Sequence, residues 1–180
     1  MLEYFVNILS KPVTGLALLI RLFAGGDTGT ETPAIETLRL VRQHDSMYVE
    51  ATLRNGLTPE IRSLINGGVV ISTDCIFTCG TFVRVQQRRL QLNPVKQICC
   101  IVQEDGMCGS TFAAQAIDSG FNTVQCYLAN LQTVTELTGR KAKLEVTTTI
   151  TVDALSIGKK TLWPGPVTTS FVIPALSENP

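Results

Sequence analysis

From Val69 the odd-numbered positions read Val69, Ile71, Thr73, Cys75, Phe77, Cys79, Thr81, Val83 and Val85, with Ser72, Asp74, Thr78 and Arg84 between them. A period of two over that length predicts a half-buried strand, or a bent pair of strands with Gly80 as bulge or bend. Burying Val69, Ile71, Phe77, Val83 and Val85 stabilises by roughly 8–15 kcal/mol gross, at about 1.5–3 for each side chain. A one-residue slip would bury Asp74 and Arg84 instead, so the pattern places odd positions inside and even ones in water. Just upstream, Thr58 is an N-cap and Pro59 suits the first helical position. Ile61, Leu64 and Ile65 follow at helical spacing and Asn66-Gly67 supplies an exit, so a short helix over 59–66 feeds the strand.

The rest of the chain carries the same kind of signal. Ile35 to Val41 and Tyr48 to Leu53 alternate around the turn residues His44-Asp45-Ser46, which predicts a hairpin. Gln86 to Arg89 reads as a polar turn or strand end, and Val95 to Val102 as a strand. Met107 to Ser119 leans toward strand or irregular structure. Val124, Tyr127, Leu128, Leu131 and Val134 recur at helical spacing and predict a second helix over 122–137. Lys143 to Asp153 and Val167 to Ile173 alternate again, separated by the Trp163-Pro164-Gly165-Pro166 turn. About seven strands and two helices joined by short turns make a mainly β chain, an antiparallel sandwich or open barrel.

The first 24 residues differ from the rest. Val13 to Ile20 is an apolar run behind Lys11, and Arg21 ends it before Leu22-Phe23-Ala24. It is shorter than the ~20 residues of a membrane helix and matches the apolar part of a signal peptide or anchor. Residues 25–33 are small, polar and Pro-ended, a linker by composition, and residues 34–176 form a single β-rich domain. The linker contains Asp27-Thr28-Gly29, the tripeptide of aspartic proteases. That chemistry needs two carboxylates in a dry, rigid cleft, and no apolar strand flanks this one.

Fifteen basic and fifteen acidic residues cancel and aromatics are 6%, which argues against nucleic acid as a partner. His44 is the single histidine and sits in the predicted turn, so a triad or dyad has no obvious base. No zinc, phosphate-loop or dinucleotide motif is present, and nothing calls for a cofactor. Cys75 and Cys79 lie about 13 Å apart along one strand face at ~3.3 Å per residue, too far to bridge each other. Cys99 and Cys100 point to opposite faces. Any disulfide is therefore expected across strands, Cys75 or Cys79 with Cys99 or Cys100. Arg84, Arg88, Arg89 and Lys96 form a run free of acidic residues, a candidate basic surface for anionic lipid head groups or an acidic partner.

The hairpin followed by Gly56-Leu57-Thr58-Pro59-Glu60-Ile61-Arg62-Ser63-Leu64-Ile65-Asn66-Gly67-Gly68-Val69, and then by two long strands, resembles the bacterial family known as domain of unknown function 4390. The resemblance spans about Ile35 to Leu176 and is most specific from Leu57 to Val69. It implies a small exported or membrane-anchored envelope protein and supplies no catalytic residues. This chain lacks the family's aromatic cluster around Arg84 to Leu90 and holds more cysteines. The expectation is a non-enzymatic envelope domain on the periplasmic side that meets another envelope protein. A carrier or sensor of a small apolar ligand between the sheets is the alternative.

Overall fold

The computed structural model describes residues 32–93, 95–103, 110–152 and 158–175. The signal-like segment, the Asp-Thr-Gly tripeptide and Pro94 lie outside the described residues. The architecture is mainly β, two antiparallel sheets curled into a half-barrel. Strands β1 (Ala34–Gln43), β2 (Ser46–Arg54) and β7 (Thr123–Asn130) form the smaller sheet in the order β1-β2-β7. The larger sheet runs β10 (Val167–Val172), β8 (Lys141–Val152), β3 (Ile71–Cys79), β4 (Phe82–Asn93), β5 (Ile98–Gln103), β6 (Ser110–Ala113), with β9 (Gly158–Thr161) also on β8.

The first hairpin forms as its turn residues predict. His44 takes a positive φ of 56°, and Gln43 pairs with Ser46 across the turn. Inward Met47, Val49, Ala51 and Leu53 alternate with outward residues, and Arg39 pairs with Glu50 in register and donates to it at 2.7 Å. Helix α1 (Pro59–Asn66) is also as expected: the Thr58 hydroxyl accepts from Ile61 N, and Ile61, Leu64 and Ile65 are buried. The left-handed exit residue is Gly68 (φ 84°) and not Gly67 (φ −77°).

The continuous odd-numbered beat to Val85 is overturned. Gly80 and Thr81 make a two-residue turn, after which Cys79 pairs with Phe82, Cys75 with Gln86 and Ile71 with Leu90. Residues opposite one another on a ladder share a face, so odd positions of β3 sit with even positions of β4. Ile71 and Phe77 are fully buried as expected, whereas Val83 and Val85 are 56% and 63% exposed. The inward set of β4 includes Gln86, Arg88, Leu90 and Leu92, so Gln86 to Arg89 is neither turn nor strand end.

The helix over 122–137 is also corrected. Short helix α2 (Ile117–Asn122), preceded by one 3-10 turn, gives way to β7, and helix α3 (Leu131–Leu137) follows. Val124, Cys126 and Leu128 are buried at every second position while Gln125 and Tyr127 are only partly so, the signature of a strand with one face inward. Val124, Leu128 and Leu131 fit a helical spacing equally well, which is why the pattern misleads. Asn130 ends the strand and caps α3, its side chain accepting from Thr133 N at 2.9 Å.

Helix α2 meets the larger sheet at a glycine. A Cβ on Gly120 would lie 2.6 Å from both Cε atoms of Phe112 on β6 and closer still to Cζ. Gly120→Ala is expected to lower stability by about 1–3 kcal/mol through overpacking. Denaturant titration of Gly120→Ala against Gly120→Ala with Phe112→Leu checks it, the second change restoring part of the loss.

Candidate interaction surface

The two faces of β4 do different work. On the inner face Arg84, Gln86 and Arg88 occur at every second position, and all three reach β7. Arg88 donates from Nη1 to the carbonyls of Thr123 (2.6 Å) and Gly120 (3.3 Å) and from Nη2 to that of Phe121. Gln86 accepts the Tyr127 backbone N–H at 2.7 Å, and the Arg84 guanidinium lies 4.9 Å from the centre of the Tyr127 ring. Strand β7 bonds β2 on one side, and these three side chains of β4 join it to the larger sheet.

Arg88 is therefore not part of a basic surface. It is 7% exposed, and burial pulls its pKa down from the ordinary guanidinium range. Arg84 is exposed on the same side of the strand, Arg89 is exposed on the opposite face, and Lys96 sits in the turn after β4. Strand alternation disperses the four cations that the linear sequence groups together.

The proposed cross-strand disulfide is likewise overturned. Cys75, Cys79, Cys99, Cys100 and Cys126 are all free. Cys75 faces Gln86 and Cys99 faces Leu92, so β4 lies between them and they are six residues out of line. At about 4.8 Å between strands and ~3.3 Å per residue, they stand roughly 20 Å apart, far beyond the ~7 Å reach of a bridge. Cys79, opposite Phe82, is farther still, and Cys100 turns to the other face. Burial pushes the Cys75 thiol up to about 12, with Arg88 opposing the rise and Asp74 adding to it.

The interior between the sheets is occupied. Met47, Phe77, Phe121, Leu128 and Leu144 are at most 2% exposed and belong to one core, with Trp163 donating from its indole N–H to the Gly56 carbonyl at 3.0 Å. Among the described residues, the buried hydroxyls of Thr148 and Thr149 find no hydrogen-bond partner. Among the described residues no cluster of His, Cys, Asp and Glu could hold a metal ion, and no helix is long and apolar enough to cross a membrane. His44 is exposed in its turn.

The outer face of β4 is the other kind of surface. Val85 sits opposite Ile76, and Val83 opposite Thr78. Around them the outer face carries Asp74, which accepts from Gln87, and Lys143, which pairs with Glu145 at 3.0 Å. An apolar centre with a polar rim is the composition of a docking patch. Sequence reasoning missed it by carrying one parity through the turn. The signal was available: Gln86, Arg88, Leu90 and Leu92 alternate with the valines, and two leucines mark that set as inward.

The chain was compared with family models, with curated proteins and with solved structures. None of the three gives a match.

Proposed function

We propose that this chain is a non-enzymatic protein-interaction module of the cell envelope that meets its partner through the outer face of β3 and β4. The observation that carries the proposal is the exposure of Val83 and Val85, at 56% and 63%, on a strand whose other face is joined to β7 through Gln86 and Arg88. β-Branched side chains left in water beside Ile76 cost solubility unless something covers them. The filled interior favours a module over a carrier of an apolar ligand. The apolar segment before Ala24 and the resemblance centred on Leu57 to Val69 support the envelope location.

The test is site-specific photocrosslinking in cells, with benzoylphenylalanine at position 83, 85 or, as control, 132 on α3. One crosslinked species common to 83 and 85 and absent at 132 is expected. No species, or the same set at all three positions, rejects the reading. Val83→Asp with Val85→Asp should abolish that species while changing stability by no more than about 0.5 kcal/mol, as exposed substitutions do. Fractionation with sequencing of the mature N-terminus checks the location, and an uncut cytosolic protein would contradict it.

A further inference from the structure

We infer that Asn55 is a site of spontaneous deamidation, and that the reaction slackens the joint between β2, α2 and the Trp163 turn. The inference stands apart from the interaction-module reading. A carboxamide is most open to attack by the next main-chain nitrogen when that nitrogen belongs to glycine, which has no side chain to hinder the approach. The chain has two such pairs, Asn55-Gly56 and Asn66-Gly67, and both asparagines are exposed. The structure separates them. Asn66 is the last residue of α1, and the Gly67 N–H donates to the Ser63 carbonyl at 2.9 Å. That nitrogen is engaged until the helix end opens. Asn55 lies beyond β2 with a positive φ of 56°, and among the described residues neither its carboxamide nor the Gly56 N–H makes a hydrogen bond. Rotation about Asn55 ψ and Gly56 φ turns the peptide plane between them with little displacement of the chain on either side.

The step is redox-neutral. Base takes the proton from the Gly56 nitrogen, which attacks Cγ of Asn55. The N–Cγ bond forms, the Cγ–Nδ2 bond breaks, and ammonia leaves with the proton returned to it. Water then opens the five-membered imide. Opening at Cγ gives aspartate; opening at the main-chain carbonyl gives isoaspartate, whose chain runs on through Cβ and Cγ. Either product adds one negative charge to a chain whose charges otherwise cancel. Only isoaspartate lengthens the backbone, and it does so beside fixed points. The Gly56 carbonyl accepts the Trp163 indole N–H at 3.0 Å, and the Leu57 N–H donates to Asn122 Oδ1 at 3.2 Å. A Cβ on Gly56 would stand 2.7 Å from that same Oδ1, so the packing favours glycine at the position where glycine makes Asn55 labile. One extra main-chain atom pulls at least one of these two bonds out of line. Trp163 is the sole tryptophan, so the lesion reports itself.

The test warms the full chain in mildly alkaline buffer, folded and in urea, and follows both sites by peptide mapping with mass spectrometry. In the folded chain Asn55 is expected to convert about tenfold faster than Asn66 or more, because Asn66 waits on opening of the helix end. In urea the two rates should draw together. Equal rates in the folded chain, or conversion of Asn55 in urea alone, overturns the assignment. The aged chain should also show red-shifted Trp163 emission and a lower urea midpoint, both in proportion to its isoaspartate content. Asn55→Gly accepts the positive φ and has no carboxamide to react, so it should keep its emission and midpoint on ageing. Isoaspartate at position 55 with unchanged emission and midpoint would overturn the loosening. A circular dichroism spectrum equal to that of the parent shows that Asn55→Gly is folded.

Discussion

Arg88→Met will lower the stability of the domain by about 3–5 kcal/mol, the cost of taking a charged donor away from three backbone carbonyls. The magnitude follows from what the guanidinium holds. Three carbonyls, those of Gly120, Phe121 and Thr123, accept from it where α2 turns into β7. Methionine fills the volume of the stem and removes the guanidinium's bonds to all three, and each bond of this charged kind is worth about 1.5–3 kcal/mol less whatever water and relaxation recover. Arg88→Lys should fall between the two, since a single ammonium keeps the charge but cannot match the planar fork. Urea unfolding followed by tryptophan fluorescence measures both, because Trp163 is buried on the same core. A midpoint for Arg88→Met equal to that of the parent would mean that the seam between the sheets is held by something else. The same result governs any lipid experiment. Charge reversal at Arg88 would unfold the protein and imitate loss of binding, so vesicle assays belong to Arg84→Glu with Arg89→Glu.

The second large effect is alkaline. The Cys75 thiol is held near 12 by burial, against 9.0 for the ordinary thiol. Between those values the unfolded chain gives up the proton and the folded chain keeps it, so the unfolded state binds fewer protons and stability falls as pH rises. The contribution is fully present below pH 9. Above it, stability should decline by about 1.4 kcal/mol per pH unit from this one group, or roughly 4 kcal/mol by pH 12. Other groups titrate in the same window, which makes the comparison with Cys75→Ala the decisive measurement. That variant should be less stable at pH 7 because of the cavity, and its decline above pH 9 should be shallower. Parallel curves for parent and variant would show that the thiol does not sit in the dry site between Thr73 and Phe77.

The residues that announce turns and caps were the legible part of the fold. Thr58, Pro59, Gly67 and Gly68 mark one helix, His44 and Asp45 one hairpin, and each acts locally, through its own backbone. The faces of the strands were less legible because they depend on the length of the connection between them. Nothing within Val83-Arg84-Val85 says which side is inward; that is settled by the two residues at Gly80 and Thr81 and by Leu90 and Leu92 farther along. β7 was hidden for a different reason. Val124, Leu128 and Leu131 satisfy a helical period and Val124, Cys126 and Leu128 a strand period, and only pairing with β2 decides between them. The candidate surface inherits the first of these difficulties. Arg84, Arg88 and Arg89 look alike in a string, yet one faces solvent beside Tyr127, one is sealed inside and one lies on the opposite face.

The Gly80-Thr81 connection imposes an arithmetic on the gene. A single codon inserted there, unless a bulge absorbs it, would turn β4 inside out. Its valines would be thrust into the interior and its guanidinium expelled. Inserted codons in pairs preserve the sidedness of everything downstream. Length variation at this spot should therefore arrive in twos, and a turn open to solvent is nonetheless unforgiving.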